Sequence, residues 1–266
     1  MTKTKTASKG VKGWAQILAI LCALVTPPRR TLLYGPPGMG KTTWAMALAA
    51  NAERITLAPG MFPTDLLGQW MLRDGSTVWA DGPATRAARK GCPLIIDEIN
   101  CGDNALNSTL QAILDDLPIC RLNLASGEVV VPADGFRVIG TMNGRPDELY
   151  GPVLDRFDIA LYCKDPAPGL LEKLSPDTRQ FLLNKCQNDP APDGSWSPDL
   201  TPRRMLTFES LRGQVAELDA ASYVFGADNG KTILTSIIDA ARNAIKSATK
   251  SPGTATLNAD EEDSGI

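Results

Sequence analysis

The 266-residue chain contains no histidine. That absence excludes histidine-based nucleophilic triads and the imidazole ligands on which most catalytic zinc sites rely. Cysteine is scattered: Cys22, Cys92, Cys101, Cys120, Cys163 and Cys186 include no C-x-x-C pair, so free buried thiols in a reducing compartment are expected rather than a zinc clamp or a disulfide framework. A membrane-length apolar run is missing as well. The one candidate, Trp14 to Val25, covers 12 residues, whereas a spanning helix needs about 20. Lysines precede it, but the following "TPPRR" lacks a small-residue cleavage pattern. It reads as a buried N-terminal helix, with no membrane insertion and a cytoplasmic setting expected. Basic residues are not in excess either: 27 Lys and Arg stand against 30 Asp and Glu, which gives no overall field for sequence-independent attraction to nucleic acid. A local basic channel in an assembly is compatible with that balance.

What is present is enough apolar residue, 43%, to fill a sizeable core. Residues 1–12 are polar and basic and are expected to be disordered. From Thr31 short apolar runs alternate with helical stretches, the pattern of a parallel α/β sheet. "TLLYG", "RITLAP", "PLIID" and "FRVIGTMN" read as strands, Lys41 to about Ala52 and Asp103 to Asp116 as helices. Two hairpins interrupt the alternation, "GQWMLRDGSTVWADG" with an Asp-Gly turn and "CRLNLASGEVVVP" with Ser-Gly. Inserted hairpins of this kind are expected to be interaction surfaces. The α/β core is predicted over 13–165, a smaller all-helical domain over 166–249, and a disordered tail over 250–266.

The strongest chemical signal is "GPPGMGKT", Gly35 to Thr42. It satisfies G-x-x-x-x-G-K-[ST] directly between a predicted strand and a predicted helix. Gly35, Gly38 and Gly40 let the backbone curl so that its N–H groups face an anion, and the helix adds the positive end of its dipole. Pro36, Pro37, Met39 and Thr43 complete the loop and the first turn. Lys41 reaches β- and γ-phosphates, and the Thr42 hydroxyl is a ligand for Mg²⁺. "LIIDEIN" offers the other half of the site. An apolar strand that ends in Asp97 and Glu98 projects both carboxylates from the sheet edge where ligands bind; Asp97 is the candidate to hold Mg²⁺ and Glu98 to polarise an attacking water. Asn143 closes the next strand, where its amide either bonds water and γ-phosphate or serves as a turn residue. Arg156, flanked by Asp155 and Asp158, is either an intramolecular salt-bridge partner or an arginine finger for a neighbouring subunit. Arg203 in "LTPRRM" begins a helix from which it could touch phosphates.

Taken in this order, these elements resemble the AAA+ ATPases, and the stretch Asp65 to Gly91 followed by "PLIIDEIN" resembles the MoxR-type branch, with its helix-2 insertion. "LNLASGEVVVPADGFRVIGTMN" is similar to that branch's pre-sensor-1 hairpin and sensor 1. The resemblance covers roughly Thr31 to Leu211 and implies a P-loop AAA+ doubly wound parallel sheet followed by a small helical lid. By position it implies Walker A at Gly35 to Thr42, Walker B at Asp97 and Glu98, sensor 1 at Asn143, the finger at Arg156 in "LDRFD" and sensor 2 at Arg203 in "TPRR". Two departures stand out: Cys101 occupies a place where the family often has arginine, and no Asn-Pro step follows sensor 1.

The resemblance further implies ATP and Mg²⁺ as cofactors, assembly into a homo-oligomeric ring, expected to be a hexamer, and a protein client, as for ATPases that work beside a von Willebrand factor A domain protein. A chaperone or remodeller follows from it, with a metal-chelatase motor subunit or a rubisco-activase-like remodeller as variants. A ring-shaped nucleic-acid motor, helicase, translocase or restriction-type, is the competing class. Against it, the second hairpin carries Glu128 and no Lys or Arg at its tip. A scaffold that only binds nucleotide has no need of Glu98.

Overall fold

The computed structural model describes residues 29–117, 119–163, 166–188 and 200–249. The expected N-terminal helix, both termini expected to be disordered and the Pro- and Asp-rich connector at 189–199 lie outside the described residues.

Five parallel strands form the central sheet in the order β2-β5-β8-β1-β9: β1 (Arg30–Gly35), β2 (Glu53–Thr56), β5 (Leu94–Asp97), β8 (Val138–Asn143) and β9 (Ile159–Tyr162). Period-two alternation makes both faces apolar. Leu33, Ile95 and Ile139 pack to one side, and Leu32, Leu94, Ile96 and Val138 to the other, so each face needs its own helical cover. Helix α1 (Lys41–Leu48) covers the first face through Trp44 and Ala45. Helices α2 (Pro63–Leu67), α3 (Pro83–Lys90) and α4 (Asn104–Leu114) cover the second. In α4, Leu106, Leu110, Ile113 and Leu114 fall on one stripe and are all fully buried, at about 2 kcal/mol of transfer free energy each. The helix expected from Lys41 to Ala52 stops at Leu48, because the cap residue Ala49 leaves helical geometry.

The chain steps outward from β1 to β2 on one face and returns through β5 to β8 on the other. This reversal opens a crevice at the carboxyl ends of β1, β5 and β8, where doubly wound sheets bind ligands. Register sets the heights there. Gly35 pairs with Asn143 and Thr56 with Asp97, so the phosphate-type loop, the strand-end carboxylates and Asn143 share one rim.

Both hairpins form. The first is a two-stranded ribbon, β3 (Gly68–Arg73) with β4 (Ser76–Asp81), turning at Asp74 and Gly75, both at positive φ. The second is shorter, β6 (Leu122–Asn123) with β7 (Val129–Val130). Arg89 of α3 links them: it donates to Asp81 at the end of β4 (2.9 Å) and, with its two terminal nitrogens, to both oxygens of Glu128 (2.7 and 2.6 Å).

After β9 the chain is helical: α5 (Gly151–Leu154) lies before it, and α6 (Pro168–Leu171), α7 (Pro176–Asn188), α8 (Pro202–Arg212), α9 (Glu217–Phe225) and α10 (Ala227–Thr249) follow. Met205, Phe208, Phe225 and Ile237 join the same apolar cluster as α1 and the first sheet face. Arg212 gathers Asp177, Glu209 and Glu217 and so ties α7 and α8 to the start of α9. Among the described residues no helix is long and apolar enough to cross a membrane.

Candidate functional site

A cleft of about 280 Å³ opens on the rim, lined by Pro37, Gly38, Gly40, Lys41, Thr42 and Thr43 on one wall and Glu98, Thr141 and Asn143 on the other. The wall of backbone is shaped by glycine. Gly35, Gly38 and Gly40 have φ of +136°, +78° and +83°, a region that side chains disfavour. At Gly40 a Cβ would also meet the Ala167 Cβ at 2.7 Å. Gly40 caps α1 with no side chain accepting from the first-turn N–H groups, and no acidic residue stands in that turn. Those donors and the helix dipole are therefore left facing the cleft.

Lys41 is buried and folded onto its own loop. Its Nζ donates to the carbonyls of Gly35 (3.0 Å) and Pro36 (2.8 Å) and to Asn143 Oδ1 (2.6 Å). Burial lowers its pKa; the charges on nearby Cys163, Glu98 and Asp97 work the other way. The Asn143 amide nitrogen donates in turn to both oxygens of Glu98. Glu98 holds φ 51° and ψ 47°, a left-handed conformation that costs a non-glycine residue about 1–2 kcal/mol. Strain of this kind gathers at functional sites. Here it points the carboxylate at the β8 rim instead of into the 3₁₀ turn Ile99–Cys101.

Asp97 is buried at the end of β5 and accepts three hydrogen bonds. Thr42 (2.8 Å) and Thr141 (2.7 Å) reach Oδ1, and Arg54 Nε on the edge strand β2 reaches Oδ2 (2.5 Å). This donor set fits a divalent cation, since the Thr42 oxygen keeps lone pairs while its hydrogen is held by the carboxylate. Cys163 sits beneath the loop, its thiol pushed by burial to about 12.

Of the residues singled out in the sequence, Gly35 to Thr43, Asp97, Glu98 and Asn143 converge here. Arg203 converges with them. It is exposed at the start of α8, lines the cleft, and its backbone nitrogen stands 3.3 Å from where a Gly38 Cβ would be. Arg156 is absent from the cleft. It precedes β9 at the opposite end of the sheet, where its Nε pairs with Asp115 (2.8 Å) and its Nη1 donates to the Pro152 carbonyl (2.7 Å). The neighbouring acids named as its alternative partners do not take it; Asp158 pairs with Arg30 instead. Thr141, Arg54, Leu170 and Leu206 were not anticipated. Thr141 had a signal, a hydroxyl two residues before Asn143 in an otherwise apolar strand and hence on the same face. Arg54 had none.

Residues 30–157 match the family model described as AAA domain (dynein-related subfamily). Protein NorQ of Paracoccus denitrificans is 35% identical over 119 residues, 42% of this chain and 43% of that protein. Protein CbbQ of Hydrogenophilus thermoluteolus is 32% identical over 116 residues, 42% of this chain and 43% of that protein. The Holliday junction branch migration complex subunit RuvB of Nocardia farcinica is 28% identical over 182 residues, 66% of this chain and 47% of that protein. The chain thus spans less than half the length of these curated relatives. Over residues 30–157, just under half of its length, the chain is thus similar to an AAA domain of the dynein-related subfamily.

Proposed function

We propose that the chain is an ATP-hydrolysing remodeller of MoxR type, which assembles into a ring, a hexamer, and works on a protein client. The observation that carries the hydrolytic part is the continuous set of contacts from Lys41 through Asn143 to Glu98, beside the Thr42–Asp97 pair. Phosphoryl transfer to water needs positioned charge around the γ-phosphate more than covalent help. In this reading the loop N–H groups and Lys41 bind the phosphates, Glu98 takes up a proton from the attacking water, and Asn143 orients both. Bound at Thr42 and Asp97, Mg²⁺ would neutralise charge on the phosphate oxygens. Arg203 would close over the phosphates from the lid side. Arg156 would serve the neighbouring subunit's site, which accords with its distance from its own cleft.

The protein client is supported by what the hairpins expose. Trp70 (53%), Met71 (49%) and Leu72 (78%) on β3, with Val129 (52%) and Val131 (52%) at the second hairpin, present apolar side chains to solvent. A partner of similar surface would cover them, and a von Willebrand factor A domain protein is one candidate. The similarity to RuvB supports the second reading, a nucleic-acid motor. That reading wants cations along a strand path, and Arg89, the helix arginine that reaches the second hairpin, is already paired with Glu128 within the chain.

The test is capture on the Glu98→Gln variant loaded with ATP in native lysate. A single protein retained, and lost when Lys41 is also replaced, is the expected result. Nucleic acid retained through stringent salt, without a protein, would overturn the client and favour the motor.

A further inference from the structure

Helix α4 ends in a way its own dipole opposes. Asp115 and Asp116 follow Leu114, and two carboxylates at the negative end of a helix are unfavourable unless cations stand beside them. Three arginines do. Arg29 donates to the Asp115 carbonyl, Arg30 Nη1 donates to the Leu114 carbonyl (2.8 Å) and Arg30 also pairs with Asp116 (2.8 Å). The last carbonyls of α4 are thereby fastened to the start of β1. The Asp115 carboxylate that projects from this anchored end meets Arg156. A residue choice that costs the helix locally, and is compensated by three separate cations, marks a place where the chain gains something other than helix stability.

What it gains is the orientation of a guanidinium. Arg156 is held on two sides, Nε by Asp115 and Nη1 by Pro152. Its side chain is only 30% exposed. Its Nη2 makes neither of these bonds, so the donor left to a ligand sits on a fork whose plane is already fixed. We infer that Asp115 is a positioning residue for hydrolysis: it holds Arg156 of its own chain ready for the phosphates in the neighbouring subunit's cleft. The inference rests on the proposed role of Arg156 and adds to it. A long arginine otherwise loses rotamer entropy each time a subunit docks, and a displacement near 1 Å at the reacting centre costs on the order of a hundredfold in rate.

The experiment mixes two variants of the full chain. Lys41→Ala has a dead cleft and an intact Arg156, while Arg156→Ala has an intact cleft; together they restore hydrolysis if the finger acts between subunits. Asp115→Asn placed on the Lys41→Ala chain is expected to lower the restored kcat about tenfold with KM for ATP unchanged, and Asp115→Glu to recover part of it. The same substitution placed on the Arg156→Ala chain is expected to change nothing, since that chain has no guanidinium to hold. An equal loss from both placements would show a structural role and overturn the inference. So would a change under twofold from the placement on the Lys41→Ala chain. If the Arg156→Ala chain alone hydrolyses ATP like the unmodified protein, it is the finger reading that falls, and the two failures are distinguished.

Discussion

The amide nitrogen of Asn143 lies 2.8 and 2.9 Å from the two carboxylate oxygens of Glu98, while its own oxygen accepts from Lys41 at 2.6 Å. One side chain therefore joins the group that would meet a phosphate to the group that would meet the water. In the proposed mechanism, phosphate arriving at Lys41 would compete with the Asn143 oxygen, and a loosened Asn143 would free Glu98. Asn143→Ala is expected to lower kcat about 10²-fold, the usual cost of one aligned donor, with nucleotide affinity within a few-fold of the unmodified protein. Steady-state hydrolysis together with equilibrium binding of a fluorescent nucleotide checks it; a large loss of affinity with kcat intact would contradict the arrangement.

Gly40 is limited twice over, by φ of +83° and by Ala167 at 2.7 Å from any added Cβ. Gly40→Ala should abolish nucleotide binding, because relieving either constraint displaces the N–H groups at the start of α1. Pairing it with Ala167→Gly removes the clash and leaves the φ strain of about 1–2 kcal/mol. Partial recovery of binding in the double variant, seen by calorimetry, is the expected outcome.

Arg54 supplies the only cation bonded to buried Asp97 among the described residues. Arg54→Gln is expected to cost about 1.5–3 kcal/mol of unfolding free energy, the range for a hydrogen bond to a charged partner. Mg²⁺ with ADP should narrow that loss, because Asp97 freed of Arg54 would bind the cation more tightly and stabilisation by a ligand grows with its affinity for the folded state. Urea unfolding with and without Mg²⁺·ADP reads both effects. Equal losses in the two conditions would mean that Arg54 has no bearing on the cation site.

Partial burial pushes the Asp158 carboxyl up, but the Arg30 side-chain and backbone hydrogen bonds and the Arg30 charge outweigh it and hold the group below its ordinary value of 3.8. The native state then binds fewer protons than the unfolded chain in that range. Stability from the pair is complete above the ordinary carboxylate value and is lost as pH falls through the lowered one. Arg30→Gln should flatten this acid limb of the stability curve and leave the neutral plateau with a similar slope. Thermal unfolding between pH 3 and 7 measures it.

The nucleotide side of the site was legible in the sequence because its chemistry is contiguous. Eight residues from Gly35 to Thr42 carry the turn, the donors and the cation together, and "LIIDEIN" places two carboxylates at one strand end whatever the rest of the chain does. Strand and helix periods likewise depend on neighbours two to four positions away, so the α/β alternation and both hairpins could be read. Helix limits were less legible: α1 ends at Leu48, four residues short of the expected Ala52.

Tertiary structure alone decided which charges meet. Arg54 and Asp97 are 43 positions apart, Arg156 and Asp115 are 41, and Lys41 and Asn143 are 102. None of these pairs follows from a local period. Each depends on strand order and register, which place β2 beside β5, Gly35 level with Asn143 and the end of α4 against the start of β1. The sequence by itself determined that a phosphate can be held and that carboxylates stand near it. The fold determined that Arg156 turns away from its own cleft toward Asp115, because a parallel sheet sends the residues before β9 to the end opposite the phosphate loop.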